Sequence, residues 1–194
     1  MNDYFRSLLK TINDSINGLD EHTFDEVCSD IVNTLKKGGK PVITGLGKNV
    51  PICEKFEGTM LSLGLNARFL HTNTAVHGDL GAVEDGDVVL ILSKSGETAE
   101  SVYLLNQLKK RNVKIWAMTF NEGSSLAQEA DRTFAIRMDR EGDKWNIVPN
   151  NSTTLYLIVL QAIAMTVADI LDVSLDEFRT NHPGGYIGVQ LNVR

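Results

Sequence analysis

The sequence predicts an α/β fold built on a five-stranded parallel sheet. Five short runs rich in β-branched and apolar residues recur along the chain, and longer amphipathic segments separate them. The clearest run, DVVLILS at residues 87–93, is apolar on both faces, which is typical of a central parallel strand. Strands that alternate with helices are joined by right-handed crossovers and therefore lie parallel.

The predicted elements follow in order along the chain. Two amphipathic helices are predicted at 3–17 and 22–37, separated by Gly18 and closed by Gly38-Gly39. The predicted strands cover residues 41–47, 67–71, 87–93, 113–119 and 132–138. The later helices are predicted at residues 49–63, 97–111, 124–130, 152–171 and 174–180. Residues 139–151 form the one long irregular loop, and such a loop in a small domain is typical of a lid or a site wall.

The composition limits the classes of function. The chain has 194 residues, which is enough for one domain, and it is 42% hydrophobic and 23% charged, as ordinary globular proteins are. Its net charge of −6 disfavours a general nucleic-acid binder, because such a protein needs a basic surface to neutralise phosphates. A small anionic ligand needs only a local positive field and stays compatible with this charge.

The cellular location is predicted from cysteine usage and from the apolar segments. Cys28 and Cys53 are expected to be reduced, partly buried thiols, as in a cytoplasmic protein. The first ten residues lack the apolar run of a signal peptide. The longest apolar stretch, 155–170, contains polar residues and is interpreted as too short for a membrane span. We therefore expect a cytoplasmic protein with no membrane and no nucleic-acid partner.

The segment that follows the 87–93 strand has the composition of a phosphate-binding loop. Residues 93–98 read Ser-Lys-Ser-Gly-Glu-Thr and lead into a helix. Ser93, Ser95 and Thr98 offer hydroxyl donors. Gly96 allows a tight turn, and the start of the helix favours an anion. Ordinary helix capping by Ser95 is the alternative, but capping needs one hydroxyl rather than three. Because ligands of open parallel sheets bind beyond the carboxyl ends of the strands, we favour a phosphate monoester here.

A second glycine loop, GLGK at residues 45–48, differs from the nucleotide-binding motifs. A dinucleotide fingerprint needs a third glycine where Val50 stands. A P-loop needs a glycine at Val42 and a hydroxyl residue at Asn49. NAD and ATP are therefore not expected. Lys48 still offers an ammonium group beside the sheet edge, although a solvated surface lysine is the simpler interpretation.

Two histidines and one glutamate are the acid–base candidates. His77 lies in the segment AVHGD and His182 in NHPGG, so glycine or proline flanks each ring. Glu100 stands three residues after Glu97, which places both on one side of the predicted helix. A surface or capping role is the alternative for each residue. Aldose–ketose isomerisation uses such a set, because a base moves a proton between C2 and C1 while an acid or cation stabilises the developing oxyanion.

Taken in order, five motifs resemble those of the SIS (sugar isomerase) domain family. They are Gly-x-Gly-Lys, His-Gly-Asp, Ser-x-Ser-Gly-Glu-Thr, Asn-Ser-Thr-Thr and His-Pro-Gly-Gly. The serine loop marks only the superfamily, whereas the two histidine motifs together resemble the arabinose-5-phosphate isomerases. The resemblance implies a flavodoxin-like, three-layer αβα sandwich with a helical N-terminal extension. It implies a single SIS domain over 1–194, with N-terminal helices at 1–37 and a sugar-phosphate-binding core at 38–190.

The resemblance also implies a reaction and a set of residues. The reaction is the interconversion of D-arabinose 5-phosphate and D-ribulose 5-phosphate through an enediol(ate), without a cofactor, which supplies Kdo for lipopolysaccharide or capsule synthesis. The family's catalytic positions fall on Lys48, His77, Glu100, Glu141 and His182. Its substrate-binding positions fall on Gly47, His71, His77, Ser93, Lys94, Ser95, Thr98, Ser152 and Thr153. No metal is required, and a divalent metal at His71 would inhibit rather than assist.

Within this set, we expect Glu100 to move the proton between C2 and C1 and Lys48 to stabilise the developing negative charge. His182 or His77 is expected to assist ring opening and proton transfer to the oxygens. An exchange of roles between Glu100 and a histidine stays open. Members of the family are usually homotetramers whose sites borrow residues from a neighbouring subunit, so either histidine is a candidate to act in trans.

The sequence departs from the familiar family pattern in three places. Many members carry two CBS modules after the isomerase domain, whereas this chain ends at Arg194 and is expected to lack them. Lys94 stands where asparagine is common and adds a cation near the phosphate. The loop 139–151 carries Lys144 and Trp145 in unfamiliar positions.

Two further hypotheses stay open. One is another SIS isomerase, acting on a hexulose or heptose phosphate, and the other is a sugar-phosphate sensor that binds without turnover. The presence of Lys48, His77, Glu100 and His182 favours an enzyme over a sensor. A structural or adaptor role gives no reason for the phosphate loop.

Overall fold

The computed structural model describes residues 3–192, with side chains described as far as residue 190. The strands are β1 Pro41–Gly45, β2 Arg68–His71, β3 Val88–Leu92, β4 Lys114–Thr119 and β5 Arg132–Ala135. The helices are α1 Asp3–Asn17, α2 Glu21–Lys36, α3 Val50–Ser62, α4 Thr72–Ala75, α5 Ala99–Leu108, α6 Ser125–Glu129, α7 Asn151–Ile170, α8 Leu175–Thr180 and α9 Gly185–Asn192. Short 3₁₀ turns cover Gly47–Asn49 and Asp79–Ala82.

The strands form one parallel sheet in the order β2-β1-β3-β4-β5. Helices cover both faces of this sheet, so the predicted α/β class with a five-stranded parallel sheet is confirmed. From β1 the chain first moves to the edge strand β2, and it then returns to the other side of β1 with β3. The carboxyl ends of β1 and β3 therefore flank the crevice in which sheets of this kind bind their ligands.

Alternate strand residues point to opposite faces, and each face packs against its own layer of helices. α2, α3 and α7 cover one face, on which Ile43 and Leu90 are fully buried. α5 and α6 cover the other face, on which Val89 and Ile91 are fully buried. α1 packs against α7 and so forms the outer part of the first layer. β3 is buried along its whole length, as its apolar sequence predicts.

Several boundaries differ from the sequence prediction. α5 begins at Ala99 rather than at residue 97, because Thr98 is its N-cap and the serine segment before it forms a loop. β5 ends at Ala135, so the loop that follows is longer than expected. The sequence does not predict α4 or α9. α4 is one turn, too short to show helical periodicity, and two glycines in α9 lower its helix propensity.

Among the described residues, α7 alone is long and apolar enough to cross a membrane by length and composition, with a mean hydropathy of 1.7 in its most apolar window. The prediction that this stretch is too short is therefore wrong, because the helix has 20 residues and begins at Asn151. A helix in the core of a globular domain can be equally long and apolar. Here α7 contacts α1, α2 and α3, and Leu155, Ile163 and Val167 are fully buried.

The two cysteines lie in the core of the first layer. Cys28 on α2 and Cys53 on α3 are both buried and free, which confirms that they do not form a disulfide. Burial raises the pKa of the Cys28 thiol to about 12 and also raises the pKa of Cys53. Neither sulfur is therefore a thiolate at neutral pH.

Candidate active site

The loop after β3 has the hydrogen-bond pattern of an anion cradle. The hydroxyls of Ser93 and Thr98 lie 3.1 Å apart, and the backbone N–H of Gly96 donates to the Ser93 hydroxyl over 3.1 Å. Thr98 is the N-cap of α5, yet its side chain makes no capping hydrogen bond. The first N–H groups of α5 thus keep their capacity to bind an anion. Ser95 is exposed beside them. This pattern favours the phosphate interpretation over simple capping.

The cradle is held in shape by the segment that follows β4. Gly96 has a φ of +66°, and a Cβ atom at this position would lie 2.0 Å from the Ser124 hydroxyl oxygen. The N–H of Leu126 donates to the Gly96 carbonyl over 3.0 Å. The N–H and the hydroxyl of Ser125 each donate to the Glu97 carboxylate over 2.8 Å, and these bonds lower the pKa of Glu97. Glu97 therefore points at the start of α6 and precedes α5, so it does not share a helix face with Glu100.

Lys94 links the cradle to the long loop and to α7. Its ammonium lies 2.8 Å from Oε1 of Glu141, whose carboxylate is completely buried. The Ser152 hydroxyl donates to the same oxygen, and the N–H groups of Asn150 and Ser152 donate to Oε2 over 3.1 Å each. Burial raises the pKa of Glu141, but the Lys94 ammonium and these hydrogen bonds outweigh it and hold the pKa below its ordinary value. Glu141 is therefore ionised at neutral pH.

His77 and Glu100 line one cleft, as the acid–base prediction requires. The cleft has a volume of ≈ 700 Å³ and lies between α4 and the first turns of α5. Both side chains are exposed to solvent, so both are open to a ligand. Lys48 is also exposed and belongs to the 3₁₀ turn Gly47–Asn49, directly after β1. Gly47 in this turn has a φ of +58°, which favours glycine.

The substrate-binding candidate His71 has a structural role as the N-cap of α4. Its Nδ1 accepts a hydrogen bond of 3.3 Å from the N–H of Asn73. Its ring also packs edge-on against Phe69, with 6.2 Å between the ring centroids. Over residues 3–192, no group of three or more His, Cys, Asp or Glu side chains is arranged to hold a metal ion. The inhibitory metal expected at His71 stays a prediction.

His182 lies apart from the other candidates within one chain. Its Nδ1 is 2.8 Å from the carbonyl oxygen of Phe178, and the two rings stack with centroids 4.0 Å apart. The neighbouring Asn181 donates to the carbonyl of Ser62 at the end of α3. α3 starts beside the Lys48 turn and is about 20 Å long. His182 is therefore held at the opposite end of the sheet from the phosphate loop.

The hydroxyl pair at the start of α7 is occupied by bonds within the protein. Ser152 is buried, and its hydroxyl donates to Glu141. The Thr153 hydroxyl donates to the carbonyl of Asn150 over 3.0 Å. Both hydroxyl hydrogens are therefore donated to groups within the protein rather than directed at the phosphate loop.

The cleft also contains residues that the sequence argument does not single out. Tyr103 lies three residues after Glu100 on α5 and is 56% exposed, and Asn73 and Thr74 of α4 complete the opposite wall. The i, i+3 spacing of Tyr103 from Glu100 was a signal available in the sequence. The α4 residues gave no such signal, because a single turn leaves no periodic pattern.

The amino-acid sequence matches a known protein family and several of its members. Residues 34–166 match the SIS domain family. The chain belongs to this family. It is 33% identical over 187 residues to arabinose 5-phosphate isomerase KdsD of Francisella tularensis, a match that covers 96% of this chain and 57% of the relative. The chain spans about half the length of the curated relatives it matches.

Solved structures share the SIS fold. The structure of an Escherichia coli CFT073 protein in complex with arabinose 5-phosphate has a TM-score of 0.83 and 32% identity, over 94% of this chain and 100% of that chain. A phosphoheptose isomerase from Francisella tularensis has a TM-score of 0.67 and 17% identity, over 87% of this chain and 96% of that chain. The second likeness extends to the fold alone. The chain is thus a member of the SIS domain family, and it shares the fold of these structures.

Proposed function

We propose that this chain is an aldose–ketose isomerase that interconverts D-arabinose 5-phosphate and D-ribulose 5-phosphate. One observation carries the proposal: the anion cradle at 93–98 runs directly into the helix whose first turns line a cleft with His77 and Glu100. Family membership supports the sugar-phosphate isomerase class. The name of the KdsD relative and the sugar bound in the Escherichia coli complex support the five-carbon substrate.

The cradle binds the phosphate and so orients the sugar. The hydroxyls of Ser93, Ser95 and Thr98 and the N–H groups at the start of α5 hydrogen-bond the phosphate oxygens. Lys94 supplies a positive charge in the same loop. A sugar held at its phosphate end has its carbonyl end confined to a small volume, which lowers the entropic cost of reaching the acid–base groups.

The cleft carries out the proton transfer. Glu100 takes the proton from C2 of the open-chain aldose, which leaves an enediol(ate), and then protonates C1 to give the ketose. Because its carboxyl group is exposed, the proton it carries exchanges with water between the two steps. Lys48, in the turn after β1, stabilises the negative charge on the oxygen. His77, which shares the cleft with Glu100, assists ring opening and then moves protons between the sugar oxygens, so that O1 gains a proton and O2 loses one. The same contacts are compatible with an exchange of the roles of Glu100 and His77.

His182 enters this proposal through a second copy of the chain. A histidine held at the far end of α3 reaches a cleft only if a neighbouring subunit presents it. A homotetramer with shared sites provides such an arrangement. The same proposal includes a cytoplasmic location and the supply of D-arabinose 5-phosphate for Kdo in lipopolysaccharide or capsule synthesis.

A substrate panel tests the proposal. Purified protein is assayed by NMR with five-, six- and seven-carbon aldose and ketose phosphates, and Glu100→Gln serves as the inactive control. We expect the highest kcat/KM with D-arabinose 5-phosphate, by at least about tenfold, a difference equivalent to about 1.4 kcal/mol. A preference for a hexulose or heptose phosphate would make the chain another SIS isomerase. Binding of the whole panel without turnover would make it a sensor.

A further inference from the structure

The contacts of Glu141 distinguish it from the other acid–base candidates. Each of its two carboxylate oxygens accepts two bonds: Oε1 from Lys94 and Ser152, and Oε2 from the N–H groups of Asn150 and Ser152. A carboxylate has about four lone-pair sites, so this one has none left for a substrate proton. Its side chain is also completely buried, whereas Glu100 is exposed in the cleft.

The pKa of Glu141 is a second argument against a role in proton transfer. An efficient general base has a pKa near the working pH, and enzymes raise the pKa of a catalytic Glu toward neutrality. The contacts of Glu141 do the opposite, because the Lys94 ammonium and the hydrogen bonds outweigh burial and hold the pKa below its ordinary value. Such a carboxylate is a weak base at neutral pH.

Lys94, in contrast, has capacity left for a ligand. Its side chain is 41% exposed, and Glu141 occupies one of the three N–H donors of the ammonium. No other hydrogen bond of this ammonium is present within residues 3–192. Lys94 belongs to the 93–98 loop, and its own carbonyl accepts bonds from the Phe120 N–H and the Thr119 hydroxyl. Both ends of Lys94 are therefore fixed, the ammonium by Glu141 and the backbone carbonyl by the residues at the end of β4.

We propose that Glu141 is a positioning residue that acts through Lys94, fixing that ammonium beside the phosphate loop, rather than a residue that transfers a proton. This inference rests on the proposed function and names the way in which the same site binds the phosphate dianion. A free lysine loses side-chain entropy when it binds, and a lysine already held by a buried carboxylate loses less. Glu141 thus affects phosphate affinity more than turnover.

The test uses Glu141→Gln, Lys94→Met and the double variant, with Lys144→Met as the matched control. Lys144 is an exposed lysine in the same long loop, and its ammonium lies over the Trp145 ring, 4.4 Å from the centroid. A glutamine at 141 is neutral and has one acceptor oxygen, so it can face either Lys94 or the two backbone N–H groups but not both, and it holds the ammonium less firmly. The measurements are the Kd of inorganic phosphate by calorimetry, and kcat and KM for D-arabinose 5-phosphate.

We expect Glu141→Gln and Lys94→Met each to raise the phosphate Kd and the KM about tenfold, with kcat changed less than about tenfold. In the Lys94→Met background, Glu141→Gln should have little further effect on the phosphate Kd, because the residue it positions is absent. Lys144→Met should leave the phosphate Kd unchanged.

A fall in kcat of more than about 100-fold in Glu141→Gln, with the phosphate Kd unchanged, would overturn the proposal and make Glu141 a proton-transfer residue. Equal effects of Glu141→Gln with and without Lys94 would also overturn it. If Glu141→Gln does not fold, an unchanged phosphate Kd in Lys94→Met alone is sufficient to reject the proposal. A wild-type protein that binds phosphate but isomerises no sugar would contradict the proposed function. In that case the phosphate Kd values of the variants would still test the role of Glu141.

Discussion

The phosphate side and the acid–base side of the site are built in different ways. The cradle at 93–98 is one continuous segment whose hydroxyls, turn and helix start are hydrogen-bonded together and fixed by the residues after β4. The acid–base candidates Lys48, His77 and Glu100 are exposed and lie on three separate elements, and His182 lies at the other end of the sheet. The phosphate grip is thus preformed in one chain, whereas our proposal completes the reacting end with the sugar and with a histidine from a second subunit.

The largest expected effect concerns the acid–base side. Glu100→Gln removes the proposed base but keeps the shape of the side chain, so kcat should fall about 10²–10⁴-fold. The Kd of inorganic phosphate should not change, because Glu100 is not part of the cradle. Steady-state kinetics and calorimetry on the same preparation check both statements. Turnover within a few fold of the wild type would show that Glu100 is not the base, whereas a raised phosphate Kd would show that the two sides are not separate.

The packing around the phosphate loop is tested by the stability of two glycine variants. Gly96→Ala forces a side chain into a left-handed conformation and brings a Cβ to 2.0 Å from the Ser124 oxygen. We expect the free energy of unfolding to fall by about 2–5 kcal/mol. Gly38→Ala is the matched control, because Gly38 has a φ of +85° with no atom within 4 Å of an added Cβ. Its cost should be about 1–2 kcal/mol. Equal losses in the two variants would mean that the cradle is not tightly packed.

The division between subunits is tested by hybrids. His182→Ala and Glu100→Gln are each expected to be nearly inactive. If the neighbouring subunit supplies His182, a co-expressed mixture should contain some sites with both residues intact and recover roughly a quarter of the wild-type activity. The measurement is the specific activity of the mixed oligomer against the two pure variants. A mixture no more active than its components would place His182 outside the shared site.

The smallest effect is the pH dependence of the Lys94–Glu141 contact, which joins the phosphate side to the long loop and to α7. The pKa of folded Glu141 lies below its ordinary value of 4.5, so its charge stabilises the folded state above that pH. This contribution is lost as the pH falls through the folded pKa. The difference in free energy of unfolding between the wild type and Glu141→Gln should therefore shrink below about pH 4.5. Denaturant titrations at several pH values measure it, and a constant difference would contradict the assigned contacts.

The sequence predicts the phosphate side better than the acid–base side, and the reason is physical. Residues 93–98 follow a fully apolar strand, which is recognisable as a central one. Their position at the carboxyl end of the sheet follows directly from that. The partners of Glu141 come from α7 and from the β3 loop, and such long-range contacts leave no periodic signal. The i, i+3 spacing from Glu100 could have predicted Tyr103 as a cleft residue. No sequence pattern predicts the residues of α4 that form the opposite wall. The position of His182 depends on α8 and α3 packing together, which no local pattern encodes.

Proton exchange in heavy water tests the central claim most directly. Wild-type protein and D-arabinose 5-phosphate are followed by NMR in D₂O, with Glu100→Gln as the comparison. If a sugar gripped at 93–98 loses and regains a proton in the cleft, deuterium should enter C1 of the ribulose 5-phosphate formed and C2 of the returning aldose, and only with the wild type. Phosphate-dependent binding of the sugar with no deuterium at either carbon would contradict the account.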